Sequence, residues 1–371
     1  MSLQGFGGEH LQERVQHMGR EICIALAGAM LAMATGCGDH AAHPFERFRD
    51  DARRDYQAEL AQPQPADSLP AEPTLGDYTA YAMMHSAALE ASFNHWQAAL
   101  QRIPQARVLP DPQLSYRYYI SEVETRVGAM RQGVGVSQRF PWIEKLMLRE
   151  DAAAQAARAA HANFQAQRWQ LAQRVAEAYW ELYYLDQSIA VVGENRRLVE
   201  HLEGVARTRY KTATASHPEV IRAQVELGKL GDRYESLQDL RGQAVAELNA
   251  ALNRPTETPV PHLAPGDDEF VTLDNAEMLR RLEEANPRLA AMQAEVRQRE
   301  HEIQLARQAY IPDLTLGVDY TDINDSTADR HPSDDGKDAV AVMASINLPI
   351  WYEKLNAGVR EARHRHYAAM L

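Results

Sequence analysis

This chain holds little of what an active site requires. It has two cysteines, Cys23 and Cys37, both near the N-terminus, too few to build a disulfide framework. No glycine-rich phosphate loop, HExxH, GxSxG or CxxC occurs. Its 14 histidines are scattered: His40 and His43 lie in a Pro-rich stretch and His85 follows Met83-Met84, and no pair has ligand spacing with a third partner nearby. Asp322-Ile323-Asn324-Asp325 lacks the spacing of an EF-hand. No catalytic residue, cofactor or metal site is therefore expected. The formal charge of −13 offers no basic face for nucleic acid. With 25% charged and 45% hydrophobic residues, the chain is neither disordered nor a helical multi-span membrane protein. The apolar run Ile22 to Met33 falls short of the ~20 residues a membrane helix needs.

What the chain does have is a duplication. Pro112-Gln113-Leu114-Ser115-Tyr116 is followed by Gly133-Val134-Gly135-Val136 and a corner, Arg139-Phe140-Pro141-Trp142, leading to Glu144-Lys145-Leu146. Pro312-Asp313-Leu314-Thr315-Leu316 is followed by Val340-Ala341-Val342-Met343 and a corner, Asn347-Leu348-Pro349-Ile350-Trp351, leading to Glu353-Lys354-Leu355. Each copy reads strand, strand, helix. Apolar and polar residues alternate along all four strands, with one lapse at Gln138. Each strand has about the ten residues that cross a bilayer when tilted. Trp142, Trp351 and Tyr352 stand at strand ends, where membrane-interface aromatics belong. The turns are expected at Ser121 to Met130 and Asp322 to Lys337. A soluble half-buried sheet shows the same alternation.

The remainder is helical. Thr74 to Ile103 reads as one helix ended by Pro104. From Pro141 to Thr212 no breaker appears, so residues 143–211 make a rod of roughly 100 Å at 1.5 Å per residue. Leu171, Val175, Ala178, Leu182, Leu185, Ile189 and Val192 form a coiled-coil seam. After a turn at Thr212 to Pro218, the seam Val220, Ala223, Leu227, Leu230, Tyr234, Leu237, Arg241, Ala244, Leu248 returns, with Arg241 its polar lapse. Leu282, Ala285, Leu289, Met292, Val296 and Ile303 suggest a third seam, with Arg299 as its lapse. Asp186, Glu194 and Glu226 are expected on solvated faces or a tunnel wall.

Residues 1–36 read as an export signal, with Met18 an alternative start. Ala34-Thr35-Gly36-Cys37 has the small residues of a lipoprotein cleavage box, making Cys37 the expected lipid anchor. Residues 37–73 form an acylated Pro-rich tether. The first repeat runs 74–265 and the second 266–371. The second repeat stops about twenty residues after Trp351, so its long hairpin is expected to be missing and the chain incomplete.

Gln138-Arg139-Phe140-Pro141-Trp142 opening a long Ala-rich helix resembles the TolC family of outer-membrane efflux proteins. So do Ala206-Arg207-Thr208-Arg209-Tyr210, the turn Ala215-Ser216-His217-Pro218-Glu219-Val220, and the close at Ala246-Glu247-Leu248-Asn249. The resemblance implies an α+β membrane protein: long coiled-coil hairpins plus four transmembrane β-strands per subunit, in a trimeric β-barrel and α-barrel. It implies a homotrimer in the outer membrane of a Gram-negative bacterium, its helices in the periplasm. Such a trimer is a passive exit duct for small toxic solutes, drugs or heavy-metal ions, working with a periplasmic adaptor and an inner-membrane pump. Arg209, Tyr210, Ala213, Ser216 and Val220 would form the adaptor-contact tip, although the family usually has Gly where Ala213 stands. A duct for secreted polypeptides, and a periplasmic structural coiled coil or adaptor, are the alternatives.

Overall fold

The computed structural model describes residues 69–214, 216–263, 274–325 and 335–371. The leader, Cys37 and the tether lie outside them. The described elements fall into two compact units. One takes residues 99–157 and 292–371; the other takes residues up to 98 together with 158–291.

In the second unit, α1 (Leu75–His85) starts at a capping box. Asp77 N donates to Thr74 Oγ1, and Thr74 N donates to Asp77 Oδ2 at 2.8 Å. The Thr74 hydroxyl, donating to Asp77 Oδ2 at 2.7 Å, and then the bond from Thr74 N hold the Asp77 carboxyl below its usual pKa. The single helix expected over Thr74 to Ile103 is in fact two. Ser86 adopts an extended conformation, ending α1 and capping α2 (Ala87–Arg107) through its Oγ to Leu89 N. Nor does Pro104 end α2. It lies in the last turn, where one lost backbone bond is tolerated, and the helix runs on to Arg107.

The long rod is present as one helix, α3 (Ile143–Lys211), of 69 residues. It is followed by α4 (His217–Ala251), with Ser216 as N-cap and Pro218 in the first turn. In the second unit the predicted α3 seam is inward: Val175 and Leu182 are fully buried, and Leu171, Ala178 and Leu185 nearly so. On α4, Leu237, Ala244 and Leu248 match them. Aromatic rings close the end near α1 and α2, with Tyr78 6.0 Å from Tyr179 and Phe93 5.8 Å from Phe164.

The polar lapse Arg241 has a partner that was assigned elsewhere. Asp186, expected on a solvated face, is buried, and its carboxylate accepts from Arg241 Nε at 2.6 Å, His262 Nδ1 at 2.8 Å and Leu263 N. One buried acid thus fastens the 260–263 segment to both long helices.

The third seam is not built as expected. Asn286 interrupts the helix, giving α5 (Asn275–Ala285) and α6 (Pro287–Gln308). A heptad phase cannot carry across that break. Leu282 and Met292 are exposed, and the packed residues are Ala291 and Ala294. Arg299 bonds Glu302 and Glu295 on its own helix.

In the first unit, β1 (Gln113–Thr125), β2 (Gly128–Phe140), β3 (Leu314–Ile323) and β4 (Ala339–Ile346) form one antiparallel sheet in sequence order. The expected turn over Ser121 to Met130 shrinks to Arg126-Val127, because both strands continue through Glu122 to Glu124 and Ala129 to Met130. Gly128 has φ +127°, and a Cβ there would sit 1.7 Å from the Asn324 carbonyl oxygen. Only glycine fits. α7 (Tyr352–Met370) follows the second corner.

Candidate membrane sheet and helical tip

The sheet register places the predicted apolar residues that it pairs in rows on one face. Leu114 pairs with Val136, Val136 with Val318, and Val318 with Val342. Tyr116, Val134, Tyr320 and Val340 form the next row, and Phe140, Leu314 and Ile346 another. This face is open: Leu114 is 75% exposed, Val342 72% and Ile120 94%. The opposite face carries Ser115, Gly135 and Asp319 in one row, and Arg139, Thr315 and Ser345 in another. A sheet apolar on its open side and polar on the other suits lipid outside and water within.

Gln138, the sequence lapse, does not break the apolar face. It is buried and donates to the Pro110 and Arg139 carbonyls, the first at 2.7 Å. The face ends where Tyr116 Oη donates to Gln132 and Gln132 donates to Asp322. From Phe140 to Gln132 the strand runs about 26 Å at ~3.3 Å per residue. At the usual barrel tilt that is about 20 Å across the bilayer, close to the ~25 Å apolar band of such barrels. Trp142, Trp351 and Tyr352, all more than half exposed, extend it at the corner end. Tyr116, Tyr118 and Tyr320 stand near the other end.

A charged node behind the first corner escaped the sequence reading. Asp313, just before β3, is buried. Its carboxylate accepts from Lys145 Nζ at 2.6 Å and from Arg139 at 2.5 Å. Lys145 Nζ also donates to the Ile311 carbonyl, and Asp313 N donates to Asn347 Oδ1. Burial pushes the Asp313 carboxyl up, but the bonds from Lys145 and Arg139 outweigh it and hold the pKa below the usual value. The node joins residues from both repeats. Its signal was the paired Glu-Lys-Leu motif, whose lysine had no assigned role.

At the far end of α3 the chain turns through a Schellman motif. Ala213 N donates to Tyr210 O, and Thr214 N to Arg209 O at 2.8 Å. Ala213 sits at φ +57°, so the left-handed geometry that glycine usually supplies is kept by alanine. The Thr212 and Thr214 hydroxyls also donate to Arg209 O. α4 ends the same way, on Asn253 at φ +53°, whose side chain donates to the His85 carbonyl. Of the expected tip residues, Arg209, Tyr210, Ala213 and Ser216 are exposed. Val220 is not: it is 6% exposed, packed within the hairpin. Behind the tip, Glu203 accepts from Gln224 across the hairpin and from Arg207 on its own helix. These bonds lower its pKa. A groove runs along α3 between Arg197 and Arg209, floored by Gly204.

α3 carries a second stripe that was not foreseen. Tyr184, Val191, Leu198, Leu202 and Val205 are each at least 44% exposed, at steps of seven, seven, four and three. That spacing fits another helix. Among the described residues no helix is long and apolar enough to cross a membrane, and no cluster of metal-ligating residues is present.

A four-stranded sheet with an open apolar face, in a chain that also holds a long helical hairpin, is an arrangement that β-barrel channel subunits share. Residues 278–370 match the family model described as outer membrane efflux protein. The fold matches solved structures of CusC, which follow its folding and transmembrane channel formation (TM-score 0.65, 16% identity, 84% of this chain and 73% of that one). It also matches the outer membrane protein VceC of Vibrio cholerae (0.60, 18%, 80% and 73%). A third match is the MtrE outer membrane channel of Neisseria gonorrhoeae (0.58, 19%, 80% and 68%). No curated protein matches the chain by sequence. The family model covers about a quarter of the chain, and the solved structures, all under 20% identical, show that the chain shares the fold of these outer-membrane channels.

Proposed function

We propose that this chain is one subunit of a passive exit duct in the outer membrane of a Gram-negative bacterium, its long helices lying in the periplasm. Three copies close a twelve-stranded barrel. The observation that carries this reading is the sheet: an apolar face open to lipid and two outer strands, β1 and β4, unpaired among the described residues. Exposed strand edges and an open apolar face demand neighbours. The unoccupied stripe on α3 supports a helical wall completed by further helices. The pump supplies the energy, the adaptor docks at the tip through Arg209, Tyr210, Ala213 and Ser216, and the cargo is small toxic solutes, drugs or heavy-metal ions. Cys37 carries the lipid.

The test is expression in a Gram-negative host lacking its own exit duct. Expected are trimers after amine cross-linking of the outer-membrane fraction and regained tolerance to efflux substrates. A protein recovered only as a soluble monomer would sink the proposal.

A further inference from the structure

Two histidines in the first unit are packed against acids without bonding them. On α6, His301 follows the buried Ala294 by seven positions, so it lies on the packed face of that helix. On α7, His366 follows the buried Ala362 by four, again on the packed face. His301 Nδ1 and His366 Nε2 are shut off from solvent, and neither has a hydrogen-bond partner among the described residues. Buried polar atoms are nearly always paired, so two orphans on neighbouring helices need a reason.

The orphan atoms are the ones that face carboxylates. His301 Nδ1 lies 4.0 Å from Asp151 Oδ2 on α3, and His366 Nε2 lies 3.7 Å from Glu300 Oε1 on α6. Both gaps are too long for a hydrogen bond. A neutral imidazole with its proton on the other nitrogen presents only a lone pair here, and a carboxylate oxygen has nothing to donate to it. A charged imidazolium carries N–H on both nitrogens. Each orphan then aims a proton at an acid about 1 Å beyond charge-assisted bonding distance.

The surrounding charges are engaged or turned to solvent. On α3, Glu150 is buried and faces Arg107 of α2 at 3.9 Å, and Arg158, two turns past Asp151, has a partner. On α6, Arg299 is held by Glu302 and Glu295, and Arg297 is exposed. On α7, Arg365 is held by Glu361 at 2.6 Å, and His364 is exposed.

We propose that His301 and His366 form an acid-operated clasp: on taking a proton, each ring closes on its carboxylate and fastens α3 and α7 to α6. Histidine is the side chain whose charge ordinarily changes between about pH 5 and 8. A ring that is bonded only when charged adds stability on the acid side of its titration and loses it as pH rises. Asp313, an acid already bonded to Lys145 and Arg139, acts in the opposite sense. The three helices are thus loosely joined in alkali and fastened in mild acid. The clasp works within one chain and does not rest on the trimeric duct.

The experiment follows hydrogen exchange by mass spectrometry on the full chain in detergent, at about pH 5.5 and about pH 8. Protection of α7 amides is divided by that of α4 amides in the same sample, since α4 has no part in the clasp and the ratio cancels the pH dependence of the exchange chemistry. The expected ratio rises about three- to tenfold from the higher pH to the lower, the size of a partly screened bond between charged groups. Glu300 is 55% exposed and Asp151 24%, so the His301 bond is the less screened of the two. His301→Gln combined with His366→Gln should abolish the rise. Asp151→Asn and Glu300→Gln keep the shape and remove the charge, so each should shrink it. A wild-type ratio that does not change with pH, or grows toward alkali, overturns the clasp, and this measurement needs no variant to fold. A rise that persists in the double histidine variant overturns it too. Trimers are scored separately by amine cross-linking: their absence beside a normal rise removes the duct alone, and their presence without the rise removes the clasp alone.

Discussion

The chain builds one corner twice and finishes it differently. Both copies run from a strand through a Pro corner with tryptophan into Glu-Lys-Leu at the start of a helix. In the first, Lys145 is 6% exposed and locked to Asp313; in the second, Lys354 stands in solvent. Local sequence made the corners alike. The residue presented by the neighbouring strand made one a buried ion cluster and left the other a surface lysine. An identical motif therefore has no fixed energetic weight, since a charge stabilises only through what faces it.

The largest break in that contrast comes from Asp313→Ala. It leaves the Lys145 ammonium buried without its acid and should cost about 3–5 kcal/mol. Lys354→Met should change stability by less than about 0.5 kcal/mol. Urea unfolding of the detergent-solubilised protein, followed by tryptophan fluorescence, measures both. The repeats should behave alike where they are alike. Val136→Arg and Val342→Arg, in one row of the lipid face, should each cost about 2–4 kcal/mol, while Ala341→Arg on the other face is tolerated. Outer-membrane yield and unfolding midpoints compare the three.

Acid should sharpen the difference between corners. The native Asp313 pKa lies below the ordinary carboxylate value, so its stabilisation is fully present above the unfolded-state value of ~3.9. It fades as pH falls through the native value. Wild-type protein should lose stability over that acid range, and Asp313→Asn should show a flatter profile in the same titration. The smallest effects concern the two Schellman turns. Ala213→Gly should stabilise by about 0.5–1 kcal/mol, since glycine bears the left-handed geometry without a Cβ penalty. Asn253→Gly should gain less or lose, because it removes the bond to the His85 carbonyl. Paired thermal melts would show the difference in sign.

Much of this fold was readable from residue order. The 143–211 helix has no breaker between Pro141 and the 212–218 turn, so its length was legible almost to the residue. Period two gave the strands and their open face. The break at Ser86 was not legible, since it carries neither Pro nor Gly. The strand ends through Glu122 and Glu124 looked like loop because charge interrupts the alternation. Asp186 and Asp313 were misplaced or missed because a lone carboxylate reads the same whether it meets water or a cation 55 or 168 positions away. Val220 sits on the seam by periodicity and is buried there.

The open apolar face also constrains the protein's history before it reaches a bilayer. On the function proposed above, a copy that has not yet met lipid presents Leu114, Ile120, Val342 and Ile346 to water beside two strands whose outer edges are unpaired among the described residues. Such a surface is sticky toward anything extended, its own siblings included. Biogenesis is therefore a race between orderly insertion and precipitation. An escort that shields this face during transit would govern how much functional protein accumulates.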